Sequence, residues 1–308
     1  MEKQAFFFID DVIWVMRDLT RERPKSLFDN AFMKMLKKGH DDYGMTVQLN
    51  LFYRTDFFYG NDEFTLAEMT DAYKAEFEEN SNWLRLAFHA KQEFPDYPYV
   101  NATYDDVKAN YETIVGEIKR FAGEKSVSPA ICPHWLPISK AGCRALADCG
   151  VKFVTPSVGE TKEYTGDESV LPYGHAMRLL HNRQPETKLF ARRTRDTRIA
   201  SSICAYNHIS DEQKAEIYGK NTSIYDEEVG LSFKIFGGGP TLNLNTVETM
   251  TETLAKLNGN QFIGTATHEQ YFYPDYFNYQ PDYAEKYYAL GKILKEYGYR
   301  FITVDEMK

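Results

Sequence analysis

Cysteine is scarce: Cys132, Cys143, Cys149 and Cys204 are the only four in 308 residues, and none is spaced C-x-x-C. That excludes a disulfide scaffold and leaves reduced, buried thiols as the expectation. No run of about 18 apolar residues occurs, so no membrane span is expected. No basic run interleaved with aromatics occurs either, and the net charge is -9. A nucleic-acid surface needs clustered Lys and Arg to displace counterions, so nucleic acid is not an expected partner. Internal repeats and low-complexity tracts are missing. The first residues lack a basic lead-in and a small-residue cleavage site, and acids interrupt their apolar segment, so a signal peptide is not expected. The location this suggests is cytoplasmic, although a secreted protein with its leader removed would read the same. Sequence leaves open whether the chain forms a homo-oligomer.

What is present is a composition 43% apolar and 26% charged, with aromatics at 15%, mostly Tyr and Phe. This is ordinary for a soluble globular chain long enough for one large α/β barrel or two smaller domains. Strand-like apolar runs alternate with amphipathic stretches. Residues 5–9, 45–52 ("MTVQLNLF"), 83–90 ("WLRLAFHA"), the start of "PAICPHW" and "VKFVT" read as strands. Helices are expected near 26–38, from the Thr65/Glu68 capping box to about 79, over 104–122, and through "SKAGCRALADCG" to Gly150. The rhythm breaks over 156–230, where "KLFARRTRDTRIASSIC" suggests paired strands. It resumes with "LSFKIFGG", a helix opened by Asn245 and Glu248, "QFIGTAT", a helix over 282–297, and "YRFITV". Strands alternating with helices imply a parallel sheet with right-handed crossovers. The expectation is a single α/β domain over 1–308, a closed or nearly closed barrel, with 156–230 as an irregular, partly β insertion.

In a parallel barrel, chemistry collects at the C-terminal strand ends, where the βα loops meet. The first strand, in "QAFFFIDDVIWVM", ends at Asp10 and Asp11. The third ends at His89, with Glu93 four residues on; the fourth runs into Cys132, Pro133, His134 and Trp135; a later strand ends at Thr267, His268, Glu269 and Gln270. Each has an ordinary alternative. A lone His after a strand is commonly a satisfied polar group, and an Asp pair commonly caps the next helix. Their conjunction is what carries weight: three of seven histidines fall just past apolar strands. Adjacent buried acids repel and lose hydration, a cost that a divalent cation on one of them would offset. Imidazole with carboxylates suits zinc or another borderline transition metal better than magnesium or calcium.

Several segments resemble the polysaccharide-deacetylase family, carbohydrate esterase family 4. "FFFIDD" is similar to its T-F-D-D strand end and "AFHAKQE" to its H-x-x-x-H motif. "CPHWLPISKAGCRALADCGVKF" resembles the R-P-P-Y segment with the helix and strand after it; "GTATHEQ" falls at its last histidine motif. The resemblance implies a distorted (β/α)7 barrel that removes N- or O-acetyl groups from carbohydrate with one divalent ion, zinc or a relative. It further implies Asp10 as general base, Asp11 and His89 as metal ligands, and His268 as general acid. Two departures stand out. Glu93 replaces the second histidine of H-x-x-x-H, and the R-P-P-Y arginine is missing, with Ile131 and Cys132 near its place. Glu93 is thus expected as the third ligand, with His134 the alternative ligand or an oxyanion-side donor. Arg192 or Arg193 could substitute for the arginine. Trp135, Tyr97, Tyr99 and the "YFYPDYFNY" run (271–279) are candidates to line a sugar cleft.

Two other readings accompany this one. A metal-independent glycoside hydrolase would pair Asp10 or Asp11 with Glu93 or Glu269. A carbohydrate-binding protein on the same barrel, without turnover, would also tolerate the altered motifs.

Overall fold

The computed structural model describes residues 2–55, 63–93, 98–99, 102–156, 208–276 and 278–308. In chain order its strands are β1 (Lys3–Val12), β2 (Val47–Phe52), β3 (Leu84–Ala90), β4 (Ala130–Ile131), β5 (Phe153–Val154), β6 (Ile224–Asp226), β7 (Leu231–Phe233), β8 (Gly238–Thr241), β9 (Phe262–His268) and β10 (Tyr299–Phe301). The helices are α1 (Trp14–Glu22), α2 (Ala31–Tyr43), α3 (Lys74–Glu79), α4 (Tyr104–Ala122), α5 (Lys140–Asp148), α6 (Asp211–Ile217), α7 (Val247–Leu257) and α8 (Tyr283–Glu296).

Strand β1 explains the unbroken apolar run at the start of the chain. Ala5, Phe7 and Ile9 enter the large core shared with the helices, whereas Phe6 and Phe8 enter a second, smaller core. With both faces buried, the polar alternation of a half-exposed strand disappears. The small core also takes Ala130 and Cys132, Phe236 and Phe262, and Ile302, Val304 and Met307 near the end of the chain. It is therefore fed from both sheets.

The first sheet has the order β3-β2-β1-β9-β8, all parallel, with β10 also pairing parallel to the start of β1. The second has the order β4-β5-β7-β6, with only β6 antiparallel. Two joints connect them. A parallel bridge links Leu86 of β3 to Val127, just ahead of β4. The chain from β7 to β8 pairs with β5 at its beginning and with β9 at its end. The fold is a mainly parallel α/β arrangement whose described ladders stop short of a continuous closed barrel. Gly264 of β9 is required at the second joint, because the Phe236 carbonyl occupies the space a Cβ would need.

Helix α4 matches the sequence expectation. A Thr103–Asp106 capping box opens it, and Val107, Tyr111, Ile114, Ile118 and Phe121 form its buried stripe. Three expectations shift. Thr65 and Glu68 do form a capping box, but it closes only a 3-10 turn, and α3 begins later at Lys74. The side-chain cap of α7 is Thr246 rather than Asn245. Helix α1 is not signalled in sequence, because its N-cap residue, Ile13, has no side chain that can cap it. Of the 156–230 segment, the strands expected over 188–204 lie outside the described residues. The described part contains α6 and β6.

Candidate metal and acid–base site

Three strand ends on one rim carry an extra residue, and two of them are where the candidate side chains sit. Between β1 and β2 the register runs Ile9↔Leu49 and then Val12↔Leu51, three steps against two. The bulge falls at Asp10–Asp11. Between β2 and β3 it runs Leu51↔Phe88 and then Phe52↔Ala90, so the extra residue is His89. A third offset lies between β8 and β9. Bulges re-aim side chains at sheet rims. Asp11 also has φ 62, in the left-handed region that non-glycine residues seldom occupy. Adjacent residues of a plain strand would point to opposite faces; the bulge and this φ bring both acids to one cleft. That cleft has a volume of about 410 Å³ and is lined by Asp10, Asp11, His89, Glu93, His134 and His268, among others.

Three atoms converge in it. Asp11 Oδ1 is 3.1 Å from His89 Nε2 and 3.3 Å from His134 Nδ1, and those two nitrogens are 3.2 Å apart. The outer nitrogens fix the tautomers. His89 Nδ1 donates to the Cys132 carbonyl at 2.6 Å, and His134 Nε2 donates to the Glu93 carbonyl at 3.0 Å. A carbonyl only accepts, so in the neutral rings both inner nitrogens present lone pairs toward a carboxylate oxygen. Three acceptors at this spacing repel unless a proton or a cation lies among them. Tetrahedral ligands at bond lengths of about 2.0–2.1 Å are themselves roughly 3.3 Å apart. The donor set therefore fits a divalent cation in both spacing and chemistry. Phe52 braces both rings, 5.4 Å from His89 and 5.0 Å, edge-on, from His134. His134 precedes two consecutive left-handed residues, Trp135 and Leu136, which fold the loop back so that the Leu136 N–H reaches the Pro133 carbonyl.

Among the described residues, this Asp11–His89–His134 triad is one of two groups with metal-ligand spacing; the other is Asp10, His89 and Cys132. Glu93 belongs to neither. Its side chain is buried and lines the cleft, but its contribution to the triad is the backbone carbonyl that orients His134. His134, the alternative ligand, is the residue whose ring nitrogen lies at ligand spacing with Asp11 and His89.

Electrostatics separates the two acids. Burial pushes the Asp11 carboxyl up, but His134 and His89 outweigh it and hold the group well below the ordinary carboxylate range. Burial pushes Asp10 up to about 6, with His89 opposing and Asp11 reinforcing the rise. Burial opposes protonation of His89, but the Asp10 and Asp11 carboxylates raise it overall. Asp10 Oδ1 accepts a 2.6 Å hydrogen bond from Asn50 Nδ2, which holds the carboxylate in place. Arg192 and Arg193 lie outside the described residues. The sequence expectation does not include Asn50; its one signal there is an amide inside the otherwise apolar stretch Leu49–Phe52.

Across β1 and β9, Asp10 registers directly with His268. His268 Nδ1 lies 3.1 Å from Asn243 Oδ1, to which it donates. Glu269, the next residue, is fully buried and faces elsewhere. Its carboxylate accepts from the backbone N–H groups of Ile13, Trp14 and Val15 at 2.7–2.8 Å. It supplies the cap that α1 lacks locally, and burial pushes its carboxyl up to about 7 despite these donors. This commits Glu269 to structure and removes it from the carboxylate pairs of the glycosidase reading. The Cys132 thiol is pushed well above its usual value by burial and then by Asp10, so it is a protonated thiol. Tyr99, Tyr271 and Tyr276 are buried in the core, not on the cleft; Tyr97 and Phe277 lie outside the described residues. The described aromatic residues lining the cleft are Phe8, Trp135 and Tyr218, the last from the segment read as an insertion.

Fold and site together define a mainly parallel α/β protein with a His–His–carboxylate cluster beside Asp10 and His268. No family model matches the chain, and no curated protein matches it. Solved structures similar to it include the Xyl-CE4 domain of a multidomain xylanase from the hindgut metagenome of Trinervitermes trinervoides. That likeness has 11% identity and a TM-score of 0.44, over 99% of this chain and 89% of that one. A structure named T48 deacetylase with substrate is 9% identical, with a TM-score of 0.41 over the same shares. The 4-alpha-glucanotransferase from Thermococcus litoralis is 11% identical with a TM-score of 0.51, covering 99% of this chain and 40% of that chain. These likenesses concern the path of the chain; the chemistry of the site rests on its own residues. No helix among the described residues is long and apolar enough to cross a membrane.

Proposed function

We infer that the protein is a metal-dependent hydrolase that removes an acyl group, N- or O-acetyl, from a carbohydrate. The observation that carries this reading is the convergence of Asp11 Oδ1, His89 Nε2 and His134 Nδ1 within 3.1–3.3 Å of one another, with Asp10 alongside. Asp11, His89 and His134 would hold the ion, and zinc suits the two imidazoles and one carboxylate. When bound, it supplies Lewis-acid polarisation of the acyl oxygen and a lowered pKa for water.

The remaining steps belong to the chain. Asp10, held by Asn50, accepts the proton of the attacking water. A base with a pKa near 6 is ionised at neutral pH and still basic enough to take that proton. His268, oriented by Asn243, delivers a proton to the departing nitrogen or oxygen. The carbohydrate half of the reading is supported by the sequence resemblance and by the aromatic residues at the cleft.

The test is zinc-dependent release of acetate from an N-acetylated chito-oligosaccharide by the purified chain. Release that persists after complete chelation would overturn the metal role. A bound ion with no acetate release from acetylated sugars would overturn the hydrolase reading.

A further inference from the structure

One arm of the cleft has no task in this chemistry. Across the sheet the order of strand ends is β3, β2, β1, β9, β8. His268 on β9 thus stands between Asp10 on β1 and the segment leading into β8. Residues Ile235, Gly237 and Gly238 line the cleft on that side, and Lys214 and Tyr218, from α6 and its end, and Leu244 line it as well. In the hydrolase reading, a group protonated by His268 would depart toward this arm.

Three features make the arm a shaped surface. Tyr218 and Leu244 are 42% and 51% exposed, two of only four large apolar side chains so exposed among the described residues. Both face this cleft, whereas scattered apolar exposure would need no explanation. The Tyr218 ring lies against Gly238, where an added Cβ would stand 3.0 Å from Cε2, and its hydroxyl donates to the Gly238 carbonyl at 3.4 Å. The platform is therefore oriented. Beside it, a Cβ at Gly237 would meet nothing within 4 Å, and Gly237 is not among the glycines with positive φ. Neither backbone conformation nor packing requires glycine there. Its effect is to leave the floor of the arm bare.

The geometry points to this arm as the subsite for the leaving-group half of the substrate, with Gly237 and Tyr218 as its specificity-determining residues. A pyranose ring is the occupant that fits: a flat ring with an apolar C–H face to lie on Tyr218 and Leu244, and hydroxyls at its edge for the Lys214 ammonium. A thin aliphatic leaving group would leave both apolar side chains wet. The assignment rests on the hydrolase reading for its direction, since His268 as the acid defines which side is the leaving-group side.

The experiment uses the full chain loaded with zinc and two probes. One is an N-acetylated chito-oligosaccharide, followed by titration calorimetry and by acetate release. The other is vinyl acetate, whose leaving group is a small enolate that does not need the arm. Gly237→Phe fills the floor, and Tyr218→Ala removes the platform; neither residue touches the reacting atoms. The expected result for both variants is a loss of oligosaccharide affinity of about tenfold or more, with vinyl acetate hydrolysis within about twofold of the unsubstituted chain. Gly237→Ala, which adds only a methyl group, keeps both activities and controls for folding. Unchanged oligosaccharide binding in Gly237→Phe and Tyr218→Ala overturns the subsite. So does a parallel loss of both activities, or failure of the unsubstituted chain to bind the oligosaccharide. Oligosaccharide binding that Gly237→Phe abolishes, in a chain that hydrolyses neither probe, supports the arm while sinking the hydrolase reading.

Discussion

Asp10 and Asp11 are neighbours with opposite electrostatic fates, and the difference lies in their partners. Both are buried; Asp11 has two imidazoles at 3.1–3.3 Å and stays ionised, whereas for Asp10, with His89 farther off at 3.8 Å beside an amide and a thiol, burial prevails and pushes it up to about 6. Asp10→Asn is expected to lower turnover on the order of 10²–10⁴-fold, the usual worth of a positioned base, while zinc content by elemental analysis is retained. Full activity in that variant would refute the base. Because a protonated carboxyl cannot accept the proton, the rate should fall as pH drops through about 6 or somewhat lower, since a bound cation favours the carboxylate. A pH–rate profile that instead rises toward acid would contradict the role. The third ligand is testable in the same way. His134→Ala should weaken zinc affinity by more than the ~10–100-fold that loss of an outer-shell partner costs. Glu93→Ala, which keeps its backbone carbonyl, should change affinity far less. The reverse ranking would restore Glu93 as ligand.

At the scale of elements, two buried ionisable groups hold or burden the framework without joining the chemistry. Glu269 reaches from the end of β9 to cap α1, the helix that follows the two aspartates. Glu269→Ala leaves three buried N–H groups unpaired and should cost about 3 kcal/mol in chemical denaturation. A loss under 0.5 kcal/mol, on the order of a surface substitution, would show that water replaces the cap. Lys234, just after β7, is fully buried, with its ammonium 3.2 Å from the Thr222 carbonyl and 4.5 Å from the centre of the Phe262 ring. Burial lowers its pKa to about 7. The unfolded chain therefore takes up a proton at higher pH than the folded chain does, and the resulting penalty grows as pH falls from the ordinary lysine range toward 7. Lys234→Met should stabilise the protein by ~1–2 kcal/mol at pH 7 and by less at pH 10. A destabilised variant at pH 7 would mean that the ammonium's contacts outweigh its desolvation.

For the molecule as a whole, a cation held by Asp11, His89 and His134 would link the two halves of the structure, since Asp11 and His89 come from the first sheet and His134 follows β4 of the second. Zinc should then raise thermal stability by mass action, by about 2.7 kcal/mol at a hundredfold excess over Kd. Asp11→Ala should abolish that shift. An equal zinc-induced shift in the variant would place the ion elsewhere. The sequence carried the alternation of strands and helices because parallel strands buried on both faces appear as continuous apolar runs. It also carried the acids and histidines at the rim, since those runs end abruptly in polar residues at Asp10, His89 and His268. It did not carry α1, whose cap lies some 250 residues away at Glu269 (|i−j|=254–256). Nor did it carry the role of Asn50, which appears only when β2 is laid beside β1.

The sequence by itself determined which chemistry is available: carboxylates and imidazoles at strand ends, and too few cysteines for a scaffold. These follow from composition and from local periodicity. Tertiary structure alone decided which of those groups meet. A single extra residue in β1 turned Asp10 and Asp11 to the same side, and one in β3 set His89 beside them. The loop after β4 set the His134 ring 3.3 Å from Asp11 and 3.2 Å from His89. Ligand geometry depends on separations of a few tenths of an ångström between atoms from different strands, and spacing along one chain does not encode such distances.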